Sequence, residues 1–293
     1  MTAVTGTGRV LLGPEEPGCD PTPWLRERKT RKFLGLQDDM AVVAAGRAVT
    51  QAGLGRSLGE RTGLYLAVGW IPFQWDDIRA VYEASIEDGR FSMGRFAGGG
   101  YERAHPLLTF RCLPNMPAYH VSSSFDVQGP YLVSYPGPGQ LYTVLDAACR
   151  ALDTGAVDRA LVGGVAAQRN FLVEHHYGRL ERPVPASRLR DAAALLVLER
   201  AEDARARGAP VLCHLEAIET RYEPFDPRTT MPDADERLHA DDLVLPDEGE
   251  LGAASLPHAV SAWLGAPGAS DRLTHRLRSR DGVIATSTWR RAS

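Results

Sequence analysis

The side chains able to do chemistry in this chain are few, and most stand in patterns that do little. Cys19, Cys112, Cys149 and Cys213 are widely spaced and form no C-x-x-C pair, which argues against a disulfide framework and against a zinc site. His175 and His176 are adjacent in a segment that reads as a loop. Neighbouring imidazoles point in different directions and no third ligand is at hand, so solvent-facing or interface histidines are expected rather than a metal or base pair. Gly98-Gly-Gly100 lacks the Lys-Ser or Lys-Thr ending and the following helix of a phosphate loop. The stretch Ser134-Tyr-Pro-Gly-Pro-Gly-Gln140 reads as a tight turn before a helix. Its Pro138 offers neither a nucleophile nor a backbone N–H, Gly139 offers no side chain, and Gln140 offers an amide. Neither a metal nor a cofactor is expected.

These residues must be positioned by the elements around them. Leu36, Met40, Val43, Ala44, Ala48 and Ala52 recur at three- and four-residue steps and predict a helix stopped by Gly53. Thr62–Val68 reads as a buried strand, and Gly89–Tyr101 as a glycine-rich mobile loop. Leu141, Val144, Leu145, Ala148, Cys149 and Leu152 mark one face of a helix, followed by a turn at Thr154-Gly155 and a strand over Ala160–Val165. Ala192–Leu198 and Val211–Ile218 read as further strands on either side of a helix-prone Glu199–Arg207. Glu223–Glu250 is rich in Asp, Glu and Pro and reads as a linker or long surface loop. A helix near Ala253, with Leu256, Val260, Trp263 and Leu264 on one side, and a strand ending at Trp289 close the chain. Continuous apolar strands alternating with amphipathic helices predict an α/β protein whose sheet is covered on both faces.

Composition excludes several classes of function. The 293 residues are 44% hydrophobic and 24% charged, an ordinary globular balance with length enough for a sizeable core. The net charge of -4 and the scattered arginines give no basic stripe for nucleic acid. No apolar run is long enough to cross a bilayer, and the first residues lack a signal pattern, so a cytoplasmic protein without membrane contact is expected.

Taken in order, Leu113-Pro-Asn-Met116, Gly129-Pro130, the helix ending Ala147-Ala-Cys-Arg-Ala-Leu152 and Ala160-Leu-Val-Gly-Gly-Val165 resemble the ketoacyl synthases of the thiolase superfamily. Arg31-Lys-Phe-Leu-Gly35 upstream, and Arg190–Glu199 with Ala204–Gly208 downstream, extend the resemblance from about Arg31 to Glu219. It implies a thiolase-like layered αβαβα fold. In that family a nucleophilic cysteine occupies the turn before the helix, where helix-terminal amides lower the thiol pKa and help hold an oxyanion. Here that position falls on Pro138, and Gly137, Gly139 and Gln140 beside it cannot form a thioester either. Cys149 lies eleven residues further along the helix, roughly 16 Å away at about 1.5 Å per residue. Some family members carry glutamine in place of the cysteine, which gives Gln140 a second reading as an amide lining a pocket.

The family's second half supplies two histidines and a lysine. No His-Gly-Thr segment occurs here, and Gly249-Glu-Leu-Gly-Ala-Ala-Ser255 resembles the Gly-His stretch with Glu250 at the histidine and Leu245 where the lysine is expected. The chain between Glu223 and Gly249 is too short for the missing strand and helices, so residues 1–222 are expected to form a domain like the family's N-terminal half and residues 223–293 a truncated remnant of the other. By the same resemblance, Leu113–Phe125, with Met116, Tyr119, Val121 and Phe125, lies near a dimer interface; a core strand would look similar. The implied function is a non-catalytic subunit, similar to a chain-length factor, pairing with an active ketosynthase and an acyl carrier protein in type II polyketide or fatty-acid-like biosynthesis. The alternatives are a repurposed thioester-handling enzyme, such as a malonyl-thioester decarboxylase using Gln140 or Glu250, and a homodimeric scaffold binding an acyl ligand or carrier protein.

Overall fold

The computed structural model describes the chain except residues 14, 17, 109, 111, 112, 180–182, 224–234, 241–247, 280, 281 and 293, and the side chains of 235–240. Cys112, Leu245 and most of the predicted linker lie outside the described residues. One nine-stranded sheet runs through the molecule in the order β5-β2-β6-β7-β1-β8-β11-β10-β9. Its strands are β1 (Thr2–Leu11), β2 (Thr62–Val68), β5 (Tyr131–Ser134), β6 (Arg159–Ala166), β7 (Ala192–Arg200), β8 (Cys213–Tyr222), β9 (Asp235–Ala240), β10 (Arg272–Arg278) and β11 (Val283–Arg291). β2 pairs in parallel with β5 and β6, and the other neighbours are antiparallel. β3 (Ile86–Glu87) and β4 (Arg90–Phe91) form a separate ribbon.

Helices cover both faces, as the near-continuous apolar strands require. On one face lie α1 (Leu36–Gln51) and α4 (Met116–Phe125), whose Met40, Val43, Ala44, Val121 and Phe125 pack on Leu64, Leu66 and Val197. On the other lie α5 (Gln140–Asp153) and α8 (Ser255–Gly265), whose Tyr142, Leu145, Val260 and Trp263 pack on Tyr65, Val162, Leu198 and Trp289. α2 (Trp75–Ala84), α3 (Met93–Ala97), α6 (Phe171–Gly178) and α7 (Ala201–Ala206) are peripheral.

The fold is α/β and thiolase-like, with one sheet between two helical layers among the described residues. The abbreviation expected after residue 222 takes a particular form. β9, β10 and β11 extend the first sheet instead of building a second one, and Leu273, Leu277 and Trp289 share a core with Val4 and Leu198. Within the predicted linker, Asp235–Ala240 is the edge strand β9.

Three local expectations are corrected. The glycine-rich Gly89–Tyr101 segment contains the end of the ribbon and the short helix α3, whose first turn is capped by Ser92 Oγ accepting from the Arg95 N–H at 3.3 Å. His175 and His176 sit on α6, capped by Asn170, not in a loop. The segment that could have been a core strand is the helix α4. Its period directs Val121 and Phe125 into the subunit, both fully buried, and leaves Tyr119 on the outer side at 58% exposure.

The inner face of α4 also buries His120, 3% exposed, whose Nε2 has no hydrogen-bond partner among the described residues. Burial lowers its pKa from 6.5 to about 4. The unfolded chain therefore binds this proton first. Stability should be full above pH 6.5 and fall as the pH drops toward 4, by about 3 kcal/mol at about 1.4 kcal/mol per unit. Urea midpoints measured across this range should show the decline in wild type and a flatter profile in His120→Leu. Parallel profiles would remove His120 as the cause.

Candidate functional site

The turn between β5 and α5 is held closed by its own side chains and backbone. Ser134 Oγ donates to Gln140 Oε1 at 2.6 Å, tying the end of the strand to the start of the helix. The N–H groups of Gln140, Leu141 and Tyr142 donate to the carbonyls of Gly137, Pro138 and Gly139 at 3.1, 3.3 and 3.1 Å. Pro138 has no N–H to give. Oxyanion stabilisation needs donors aimed at an open position, and these amides are engaged inside the turn. Gly139 is buried, and Pro138 and Gln140 are half-buried.

No described cysteine is an activated thiol. Burial raises the Cys19 and Cys149 thiols to about 11 and Cys213 to about 12, so all three stay protonated near neutral pH. No group of three or more His, Cys, Asp or Glu side chains among the described residues could hold a metal ion.

The other expected motifs meet at the same end of the sheet, beyond the C-terminal ends of the parallel strands β2, β5 and β6. Glu250 is fixed by its backbone: its N–H donates to the Arg188 carbonyl at 2.8 Å, and its own carbonyl accepts from Arg190 N–H at 3.1 Å and Gln168 Nε2 at 2.9 Å. The following turn, Gly252–Ala254, lies on β6 and touches α5. There Gly164 of the Val-Gly-Gly-Val stretch faces Ala253 so closely that a Cβ would stand 1.8 Å from the Ala253 carbonyl oxygen. Two motifs far apart in the sequence are thus one backbone-to-backbone contact.

Trp70, Tyr135 and His176 form an aromatic group, with the Trp70 ring 6.0 Å from Tyr135 and 5.1 Å from His176. Sequence reasoning missed Trp70 and Tyr135, because each is a lone aromatic outside any periodic run.

Behind the turn the interior is filled. Tyr142 Oη lies 2.7 Å from His275 Nδ1 and 3.1 Å from Ser287 Oγ, and Trp289 Nε1 donates to that hydroxyl at 3.0 Å. The space left between Leu141, Leu145, Val162, Leu196, Leu256 and Trp289 is about 10 Å³, no more than one water needs. An acyl chain has no room there. The alternation of Leu273, His275 and Leu277 on β10 and of Ala285, Ser287 and Trp289 on β11, all buried, is the sequence signal for this network.

Of the four residues expected near a subunit interface, Val121 and Phe125 are core and Met116 is 8% exposed. Phe125 packs against Trp24 with ring centres 6.4 Å apart. Tyr119 remains available, and Tyr131 on the sheet's edge strand β5 is 74% exposed.

Residues 5–177 match the family described as "Beta-ketoacyl synthase, N-terminal domain". The chain belongs to the β-ketoacyl synthase family. This ketosynthase-family chain is 26% identical over 210 residues to nodulation protein E of Rhizobium meliloti strain 1021, a match covering 68% of this chain and 50% of that protein. With nodulation protein E of Rhizobium leguminosarum bv. trifolii it shares 27% identity over 198 residues, covering 64% and 47%. It thus spans about half the length of the curated relatives it matches.

Among solved structures it is similar to the ishigamide ketosynthase/chain length factor, at a TM-score of 0.68 and 19% identity over 100% of this chain and 99% of that one. It is also similar to AntDE:AntF, a type II polyketide synthase acyl-carrier protein in complex with its ketosynthase, at 0.69 and 13% over 99% of each chain. At these identities the likeness shows the fold, thiolase-like and ketosynthase-like. Among the described residues no helix is long and apolar enough to cross a membrane.

Proposed function

We propose that this chain is a non-catalytic ketosynthase-like subunit, similar in role to a chain-length factor, that pairs with an active ketosynthase and serves an acyl carrier protein in type II polyketide or fatty-acid-like biosynthesis. The observation that carries it is the contrast within one site. The backbones of two motifs meet at Gly164 and Ala253, while the turn before α5 has Pro138 in place of a thiol and the N–H groups of Gln140, Leu141 and Tyr142 are engaged internally. A fold maintained without its chemistry is maintained for its surfaces. The filled interior behind the turn supports a wall that closes a partner's pocket rather than a pocket of its own. The likeness to a ketosynthase/chain length factor and to a carrier protein–ketosynthase complex agrees with this reading. So does the edge strand β5, whose outer side pairs with no strand among the described residues and which carries exposed Tyr131.

Co-expression with an intact ketosynthase from the same gene neighbourhood tests the pairing. Native mass measurement should give a one-to-one complex, and Tyr119→Glu or Tyr131→Glu should weaken it at least tenfold while leaving the circular dichroism spectrum unchanged. Two separately stable proteins that never co-purify would overturn the pairing. The position of Gln140, held at the helix start by Ser134, defines the competing enzymatic reading. Turnover of malonyl carrier thioesters by the isolated chain, lost in Gln140→Ala, would replace the subunit reading with that one.

A further inference from the structure

A polar cleft lies between β1, the end of α1, α8 and β11. The cleft is about 450 Å³ and is lined by Thr7, Arg9, Gln51, Ser261, Leu264 and Arg291, among others. That volume suits a small organic ligand. Its polar atoms are arranged as an excess of donors. Gln51 Oε1 accepts from both the Thr7 N–H at 2.6 Å and the Thr7 hydroxyl at 3.1 Å, so the oxygen is committed and the amide nitrogen is left for the cleft. Ser261 Oγ donates to Thr7 Oγ1 at 3.2 Å and extends the same chain.

Arg291 has no carboxylate in direct contact among the described residues, whereas Arg9 lies beside the Glu248 carboxylate across His258. Arg291 uses Nη2 on the carbonyls of Trp263 and Ala266 and lies 5.0 Å from the Trp263 ring centre. Arg9 approaches His258 Nε2 at 3.2 Å, but that nitrogen is bonded to Glu248 Oε2. The Glu248 carboxylate is thus a neighbour of Arg9 as well, and the Arg9 guanidinium faces both this pair and the cleft. Guanidinium groups match the oxygens of phosphate.

We infer that this cleft binds a phosphate-bearing ligand, its anionic group between Arg9, Gln51 and Arg291 and its apolar part against Leu264 and Leu212. Two guanidinium groups lining one cleft, against a single carboxylate beside Arg9, favour a dianion over a monocarboxylate. The inference is independent of the proposed pairing with a ketosynthase.

Calorimetric titration of the full chain with hexyl phosphate, inorganic phosphate and hexanoate, at ionic strength matched with chloride, tests it. Hexyl phosphate should bind at least tenfold more tightly than hexanoate. Equal affinity for inorganic phosphate would keep the site and make its ligand the free ion; weaker affinity would make it an ester. Gln51→Glu keeps the acceptor for Thr7 but sets a carboxylate in the cleft, and Arg9→Gln removes a cation without touching the α8 carbonyls. Each should lower phosphate affinity at least tenfold with an unchanged unfolding midpoint. Hexanoate binding as tightly as hexyl phosphate, no heat with either phosphate, or unchanged affinity in both variants would overturn the inference.

Discussion

Gly164→Ala should cost at least about 3 kcal/mol, the upper range for overpacking a core, and leave little folded protein. The added Cβ would lie 1.8 Å from the Ala253 carbonyl oxygen and 2.4 Å from its carbon. Neither atom belongs to a flexible side chain. Relief requires β6 and the turn over Gly252–Ala254 to separate, and that turn is anchored through Glu250, whose backbone bonds to Arg188, Arg190 and Gln168. The movement would also disturb α5, against which the turn packs. Gly178→Ala is the control, since nothing lies within 4 Å of a Cβ there. Urea unfolding should show a large loss for the first and a midpoint near wild type for the second. A Gly164→Ala midpoint equal to wild type would mean that the contact between the two motifs is looser than described.

Glu199→Ala should lose about 3–5 kcal/mol, a large part of a typical domain stability of about 5–15 kcal/mol. Glu199 is 1% exposed. Arg207 donates to both its oxygens, Nη2 at 2.6 Å and Nε at 2.7 Å, and Thr5 Oγ1 donates at 2.6 Å. Arg207 Nη2 also reaches the Ala52 carbonyl at 3.0 Å, so one cluster ties β1, β7, the end of α1 and the segment after α7. Removing the carboxylate strands a partly buried guanidinium and a buried hydroxyl. The same pair sets an acid limit. Burial raises the Glu199 pKa, but the hydrogen bonds from Arg207 and Thr5 and the nearby positive charges outweigh it, and the net shift is downward from 4.5. Its contribution is therefore present above pH 4.5 and is lost as the pH falls through the folded-state value. Glu199→Gln should flatten that limb of the stability profile. A loss below about 1 kcal/mol in Glu199→Ala would place the pair among weak, solvated ion pairs.

Elements with uninterrupted apolar runs were legible in the sequence. Thr62–Val68 is β2 to the residue, and the six marked positions of Leu141–Leu152 all face inward to some degree. The strand β1 escaped notice although it lies inside the sheet, between β7 and β8. Its Thr5-Gly-Thr-Gly8 stretch breaks any apolar period, because the constraint there comes from another element. A Cβ on Gly6 or Gly8 would meet the Ala48 or Ala44 carbonyl oxygen of α1 at 2.2 or 2.0 Å. A close crossing of helix over strand demands absent side chains, and absence leaves no hydrophobic signal.

The chemistry divides in the same way. That the turn before α5 holds no thiol is settled by residue identity: Pro138, Gly139 and Gln140 are what they are in any fold. That the Gln140, Leu141 and Tyr142 amides bond inward, that Tyr142, His275, Ser287 and Trp289 fill the space behind it, and that Val121 and Phe125 are core while Tyr119 is surface were decided by tertiary packing. Covalent identity fixes which reactions a position can never perform. Which side of an element a residue faces, and what stands a few ångströms away, follows from contacts between segments far apart in the chain, and local periodicity carries little of that information.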